Sequence, residues 1–226
     1  MRKQFLFFLL LIIPLIQRAG AGNPGPDPAD QPQLYASLNL SEKGLSREVF
    51  QFAMKGHHKL EYNGKLRNNG ILTIVDFSQS SRNKRLYVID LLNKVLLFNT
   101  YVAHGRKTGD EFAQHFSNVV GSCESSLGFY ITKQECLGSS VGLSLILDGV
   151  EKGFNDNAMK REIIIHGAAY ATENFIRRTG RLGRSLGCPS LPPDLIKQIV
   201  ETIKEGTCLF IYHQDKQYIS RSSLLN

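Results

Sequence analysis

One cysteine and one histidine in the C-terminal half have the residue types that nucleophilic catalysis requires. Cys188 lies in the run Arg-Ser-Leu-Gly-Cys-Pro-Ser, and His166 precedes it by 22 residues, at the end of the apolar run Ile-Ile-Ile. A free thiol has a pKa of about 8.5, so it needs a neighbouring base or an electropositive turn to become a nucleophile. A lone histidine at a strand end is more often a buried core residue. Its combination with a cysteine in a glycine turn favours a pair of nucleophile and base.

The elements that carry these residues decide whether they can act together. His166 is predicted at the end of a central strand, where Gly167 begins a loop. Cys188 is predicted in a tight turn ahead of a helix. Backbone N–H groups of such a turn can stabilise an oxyanion, so Leu186, Gly187 and Cys188 are expected to supply these donors.

The remaining pattern predicts a mainly β domain, a mixed β-sheet or sandwich with a few flanking helices. Apolar runs separated by turns predict seven strands, at 71–77, 86–91, 95–102, 129–132, 143–147, 162–166 and 208–212. The short turn between the second and third of these predicts a hairpin. Helices are predicted from the Ser46 cap to about Leu60 and from Pro192 to about Glu205.

The N-terminus predicts export. Arg2 and Lys3 precede an apolar run over 5–16, and small residues at 19–21 offer a cleavage site. This run is shorter than the roughly 20 residues of a membrane-spanning helix. We therefore interpret residues 1–21 as a cleaved signal peptide, with an uncleaved anchor as the alternative. No stable membrane span is expected after cleavage.

Three further segments follow the predicted signal peptide. Residues 22–33 are rich in proline and glycine and predict a linker. Residues 34–84 are expected to form a helical and strand extension packed on the catalytic domain, which is expected to span 85–226.

The charge pattern restricts the partners. Loss of the signal peptide lowers the formal net charge from +7 to +4. The basic residues are dispersed without an aromatic stripe, so nucleic acid is not expected as a partner. The excess suits an acidic partner such as a carboxylate-rich cell-wall polymer, or only a solvated surface.

The other cysteines and histidines do not predict a metal centre. In an exported protein Cys123 and Cys136 could close a loop, although the sequence does not determine their pairing, and Cys208 is predicted in a buried strand. No Cys-x-x-Cys or His-x-x-x-His spacing is present, so neither a metal nor a cofactor is expected. The adjacent His57 and His58 are interpreted as surface residues.

The pair of motifs resembles a known signature. His166-Gly167 followed by Ser-Leu-Gly-Cys at 185–188 is similar to the H-G…S-x-G-C signature of the murein L,D-transpeptidase catalytic domain family, whose members form or trim peptidoglycan cross-links. The segment 125–130 is similar to the T-P-x-G-x-Tyr/Phe segment of that family, and the resemblance covers about 85–213. Two positions depart from the usual pattern: Leu186 stands where His is common, and Ser190 where Arg or Asn is common.

The resemblance implies roles for the site residues. Cys188 would be the nucleophile and His166 its base, with the carbonyl of Gly167 orienting the imidazole. Because the family's Arg or Asn is missing, stem-peptide carboxylates are expected to meet Arg184 and Arg181 instead. The alternative for these arginines is a solvated loop whose charges serve solubility.

Three further side chains are candidates for substrate binding. These are Tyr130, Ser185 and His104. Their alternatives are aromatic core packing, shaping of the turn and a loop position without catalytic duty, respectively.

The function implied by the resemblance is a two-step acyl transfer on peptidoglycan stem peptides. A thioester with Cys188 would be resolved by an amine, as in an L,D-transpeptidase, or by water, as in an L,D-carboxypeptidase. The enzyme would be exported, periplasmic or associated with the cell wall. The alternative is a non-catalytic wall-binding module that kept the fold. A papain-like peptidase is disfavoured because its cysteine precedes its histidine in the chain.

Overall fold

The computed structural model of the protein describes residues 31–226. The expected signal peptide and residues 22–30 of the expected linker lie outside this range. Within it, no helix combines the length and apolar character that crossing a membrane would require.

Eight strands and five α-helices make up the described part of the chain. The strands are β1 (Ile71–Asp76), β2 (Leu86–Asp90), β3 (Val95–Thr100), β4 (Gly128–Gly138), β5 (Gly142–Gly149), β6 (Ile164–Gly167), β7 (Ser190–Leu191) and β8 (Cys208–Tyr212). The helices are α1 (Gln31–Ser37), α2 (Arg47–Tyr62), α3 (Glu173–Thr179), α4 (Ile196–Ile203) and α5 (Lys216–Arg221), with a short 3₁₀ helix at Ala169–Ala171. The predicted fold class, mainly β with a few flanking helices, is confirmed.

All eight strands form one mixed sheet. Their order is β3-β2-β1-β8-β4-β5-β6-β7. The β1–β8 and β6–β7 pairs are parallel, whereas the others are antiparallel. The predicted hairpin of β2 and β3 is present. Because β1 lies between β2 and β8, the sheet does not begin at residue 85.

Continuous apolar sequence explains the central position of β1 and β8. Every residue of these two strands is buried, so both faces of the sheet are covered there. Runs without polar alternation are typical of such strands. The helices α2 and α4 both contact β1, and α2 also contacts β8.

Helix α2 shows how local sequence determines packing. The Ser46 hydroxyl accepts a hydrogen bond from the Val49 N–H at 3.2 Å and caps the helix. A Cβ on Gly56 would lie 2.0 Å from the ring of Phe129, so only glycine allows this approach. His57 is fully buried on the same helix, which corrects its interpretation as a surface residue.

The C-terminal segment is attached to the sheet by a buried carboxylate. Glu151 accepts hydrogen bonds from the Phe129 N–H and the Tyr218 hydroxyl, both at 2.8 Å, and from the Ser222 hydroxyl. Burial raises the pKa of Glu151. These contacts hold α5, a short helix that the apolar pattern did not predict.

Candidate active site

Backbone hydrogen bonds hold the segment around Cys188 against a neighbouring stretch of the chain. The Ser185 N–H donates to the His104 carbonyl at 2.9 Å, and the Arg106 N–H donates to the Ser185 carbonyl at 2.8 Å. Further along, the Ala103 N–H donates to the Ser190 carbonyl at 2.9 Å. Both ends of the cysteine turn are therefore fixed to the segment 103–106.

The turn itself is closed by Ser185. Its hydroxyl donates to the Cys188 carbonyl at 2.6 Å and accepts from the Gly187 N–H at 3.0 Å. Gly187 has a φ of 130°, and a Cβ there would lie 2.9 Å from the Glu124 carbonyl oxygen. A side chain at this position would be strained and crowded, which explains the glycine.

This geometry changes the expected set of oxyanion donors. The Gly187 N–H is already occupied by Ser185, so in this conformation it closes the turn. The Leu186 N–H has no acceptor within residues 31–226, and the Leu186 side chain is exposed. Leu186 therefore remains a candidate donor at the surface of the turn.

The imidazole of His166 has a defined orientation. Its Nδ1 lies 3.0 Å from the Gly167 carbonyl oxygen. Because a carbonyl only accepts, Nδ1 carries the proton and the lone pair of the ring lies on Nε2. A nitrogen in this state can act as a general base.

The hydroxyl groups of Ser190 and Tyr170 form a hydrogen-bonded chain that begins at His166 Nε2. Ser190, which lies opposite His166 in the parallel β6–β7 register, places its hydroxyl oxygen 3.0 Å from His166 Nε2. The same oxygen is 3.0 Å from the Tyr170 hydroxyl. Ser190 is fully buried. The departure from the family pattern at this position thus puts a hydroxyl on the catalytic histidine candidate.

The thiol of Cys188 is partly exposed. Its Sγ lies 3.6 Å from the Glu162 carbonyl oxygen. Burial raises the pKa of Cys188, while a backbone N–H of Ile164 and the Arg161 guanidinium act in the opposite direction. This environment therefore favours the neutral thiol over the thiolate.

Arg161 is a site residue that sequence reasoning missed. Its Nη1 donates to the Ser117 carbonyl at 2.6 Å and to the Ser126 hydroxyl. Its Nη2 donates to the Glu124 carbonyl at 2.6 Å and to the Ser122 hydroxyl at 3.1 Å. The guanidinium thus ties the segment 117–126 to the wall of the thiol site. Arg161 lies two residues before the apolar run 163–165 that leads into His166, and this position was the sequence signal that could have identified it.

The two predicted substrate arginines converge on one carboxylate. Arg184 and Arg181 both pair with Asp110, Arg181 at 3.7 Å. Arg184 also donates to the Gly109 carbonyl at 3.3 Å. The Asp110 side chain is 76% exposed, whereas the two arginine side chains are 29% exposed.

Two predicted substrate residues lie in the core instead. Tyr130 is fully buried, and its hydroxyl donates to the Ser126 carbonyl at 3.0 Å. His104 is 1% exposed, with Nδ1 accepting from Arg85 at 2.8 Å and Nε2 donating to the Gly109 carbonyl at 3.2 Å. Neither side chain can touch a substrate in this conformation, and both predictions are corrected. Packing and hydrogen bonding inside the domain account for both residues.

The four cysteines form no disulfide among the residues that the structure describes. All four, at 123, 136, 188 and 208, lie in the described range and are free thiols. The loop between Cys123 and Cys136 is therefore not closed by a disulfide in this structure. Cys208 is buried in β8, as its apolar strand predicted.

An apolar groove adjoins the thiol. It is lined by side chains from the β4–β5 hairpin and the segment before β6, including Cys136, Ile146, Met159, Glu162 and Ile164. Glu162 links this groove to the Cys188 sulfur through its carbonyl.

A thiol in a glycine turn and a strand-end histidine whose ring is oriented by a carbonyl are residue types found in enzymes with a cysteine nucleophile. The profile of the L,D-transpeptidase catalytic domain matches residues 41–212, and the chain belongs to that family. The match begins well before residue 85, so it includes α2 and β1.

Solved structures of L,D-transpeptidases are similar to the chain at low identity. Pgp2 from Campylobacter jejuni, a helical cell shape determining protein solved as a mutant, has 13% identity and a TM-score of 0.45, covering 76% of this chain and 58% of its own. L,D-transpeptidase 3 from Mycobacterium tuberculosis has 12% identity and a TM-score of 0.41, and the match covers 64% of this chain and 61% of that structure. An L,D-transpeptidase from Mycobacterium smegmatis has 11% identity and a TM-score of 0.39, and the match covers 64% of this chain and 59% of that structure. The chain thus spans about three fifths of the length of these structures. No curated protein matches it.

Proposed function

We propose that the protein is an exported L,D-transpeptidase in which Cys188 attacks a peptidoglycan stem peptide and His166 is the base. The observation that carries this assignment is the 3.0 Å contact of His166 Nδ1 with the Gly167 carbonyl, which leaves Nε2 as the proton acceptor. Membership of the family supports the reaction class.

The first half-reaction forms a thioester. The thiol proton passes to His166 Nε2 as the sulfur attacks the carbonyl carbon of the amide after the third residue of a donor stem. The tetrahedral oxyanion then collapses, and the C–N bond breaks while the imidazolium returns the proton to the leaving D-alanine amine. The Leu186 N–H is a donor for the oxyanion.

The second half-reaction determines the product. An acceptor amine from a neighbouring stem, or water, attacks the thioester carbonyl carbon, the C–S bond breaks, and the proton taken up by His166 returns to the Cys188 sulfur. The amine gives a cross-link, and water gives a shortened stem. The same histidine deprotonates either acceptor, so both activities use one set of residues.

Ser190 holds the base in the resting state. Its hydroxyl occupies His166 Nε2 at 3.0 Å and is itself held by Tyr170. For proton transfer from the thiol, the hydroxyl either relays the proton or leaves the nitrogen. Cys188 rather than Ser190 is assigned as the nucleophile because the thiol is partly exposed and the serine is fully buried.

Substrate binding is assigned to two surfaces, the arginine cluster around Asp110 and the apolar groove next to Glu162. The exposed Arg181–Asp110–Arg184 cluster is proposed to accept a stem-peptide carboxylate in exchange for Asp110. The apolar groove next to Glu162 is proposed to hold the uncharged part of the donor stem. The signal peptide predicted from the sequence supports a location outside the cytoplasm, where peptidoglycan is found.

Acylation by a carbapenem tests the assignment of the nucleophile. Intact-protein mass spectrometry should show one covalent adduct on the wild type, none on Cys188→Ala, and an adduct on Ser190→Ala. An adduct that persists in Cys188→Ala and disappears in Ser190→Ala would make the serine the nucleophile. Incubation with tetrapeptide muropeptides then separates cross-linked products from tripeptides. A properly folded wild type that gives neither products nor an adduct would favour the non-catalytic wall-binding module.

A further inference from the structure

A cluster of metal-binding side chains lies on α2, outside the active site. His57, His58 and Glu61 each offer one ligand atom, and these atoms all lie within 4.8 Å of one another. Glu61 is four residues after His57 and three after His58, so it stands between the two histidines on the helix surface. A search for His-x-x-x-His spacing does not find this His-His-x-x-Glu pattern.

The burial of His57 makes the cluster unusual. The side chain is fully buried, and its Nε2 lies 2.9 Å from the Asn69 carbonyl oxygen. Because the carbonyl only accepts, Nε2 carries the proton and Nδ1 presents a bare lone pair. That Nδ1 is buried and has no hydrogen-bond partner within residues 31–226.

The bare nitrogen faces another acceptor. His57 Nδ1 is 4.0 Å from Glu61 Oε2, and His58 Nδ1 is 3.6 Å from the same oxygen. A lone pair and a carboxylate oxygen repel each other unless a cation lies between them. The arrangement therefore suits a positive ion at the centre of the three groups.

Asn69 holds two of the ligands from outside. Its carbonyl fixes the ring of His57, and its side-chain amide donates to Glu61 Oε1 at 2.5 Å. Metal-bound histidines and carboxylates characteristically have such supporting hydrogen bonds on their non-coordinating atoms. Orientation of both ligands by one residue is what a preformed site requires.

We propose that His57, His58 and Glu61 bind a divalent transition-metal ion of the zinc type. Two imidazoles and a carboxylate, with water in the fourth position, are a common zinc ligand set. Bonds of about 2.0–2.2 Å in a tetrahedron place ligand atoms about 3.4 Å apart. The separations of 3.6 and 4.0 Å from Glu61 are close to this value, whereas all three ligand atoms lie within 4.8 Å of one another, so the side chains must close around the ion as it binds.

The position of the proposed metal site indicates how a bound ion would affect the domain. Asn69 immediately precedes the turn into β1, and the histidines lie in the last two turns of α2. A bound ion would connect the end of α2 to the start of the central strand. The expected effect is stabilisation of the domain, independent of the reaction at Cys188.

Metal binding by the full chain tests the proposal. Dialysed protein should bind one equivalent of Zn²⁺ with a Kd below about 1 µM, measured by competition with a chromophoric chelator. Co²⁺ should give visible bands of nitrogen and oxygen ligation without a thiolate charge-transfer band. Added Zn²⁺ should raise the melting temperature.

Variants identify the ligands. His58→Gln and Glu61→Gln change side chains that are only partly buried, at 23% and 22% exposure, so folding should persist and can be checked by circular dichroism. Both should lose high-affinity binding, and Asn69→Ala should weaken it about 10–100-fold. His115→Gln, at an exposed histidine, and Cys188→Ser should bind as the wild type does.

The contrary results are distinct from a failure of the proposed function. Wild-type protein that binds neither ion tightly would overturn the proposal. Binding that survives in both His58→Gln and Glu61→Gln, or that is lost in Cys188→Ser, would place the ion elsewhere. None of these results depends on whether the protein acylates.

Discussion

The burial of His104 in the core, in place of its predicted role in substrate binding, can be tested by measuring protein stability. The residue lies beneath the cysteine turn, since its carbonyl accepts from the Ser185 N–H. Burial, together with the neighbouring Arg85 guanidinium, lowers the pKa of His104 to about 3. The ring is therefore neutral in the folded protein, whereas in the unfolded chain it titrates near its ordinary value of about 6.5.

The difference between the two states gives the size of the effect. Below about pH 6.5 the unfolded chain binds a proton that the native ring does not bind, so stability falls as pH falls and continues to fall down to about pH 3. At pH 4.5, about two units below the unfolded value, this single group removes about 3 kcal/mol relative to pH 8. That is a large part of a typical stability of about 5–15 kcal/mol.

Urea unfolding at several pH values between 4.5 and 8 measures this effect. His104→Gln retains an oxygen for Arg85 and an N–H for the Gly109 carbonyl but does not titrate. When the pH is lowered from 8 to 4.5, the free energy of unfolding should fall in both proteins, but by about 3 kcal/mol less in His104→Gln than in the wild type. His115→Gln, which removes an exposed histidine, should follow the wild-type curve. Parallel curves for wild type and His104→Gln would refute the reasoning and reopen a site role for His104.

Two further predictions concern the cysteine turn. Gly187→Ala places a Cβ 2.9 Å from the Glu124 carbonyl at a φ of 130°, so acylation of Cys188 should slow at least about tenfold by displacement of the thiol. Time-resolved mass spectrometry measures the rate, and an unchanged rate would contradict the role of this backbone geometry. Arg161→Met removes a charge that lowers the pKa of Cys188, so the pH midpoint of iodoacetamide alkylation should rise. Arg161→Lys should move it less, and overlapping profiles for all three proteins would contradict an electrostatic contribution.

Much of the fold could be predicted because its strongest signals are local. Continuous apolar runs such as 208–212 identified the central strands, and Ser46 identified the start of α2. The elements that were missed are short: β7 has two residues, α5 has six, and α1 and α3 have seven each. Elements of this length depend on contacts with distant residues, as α5 does through Glu151.

By itself, the sequence determined the chemistry that is available: a thiol in a glycine turn, a histidine at a strand end, and the family motif that joins them. The tertiary structure alone decided the partners of each group. Strand register placed the Ser190 hydroxyl against His166 Nε2, and packing buried Tyr130 and His104 in the core. The physical reason is that hydrogen-bond partners and burial arise between residues that are far apart in the chain. Arg161, which ties the segment 117–126 to the thiol site, is the clearest case.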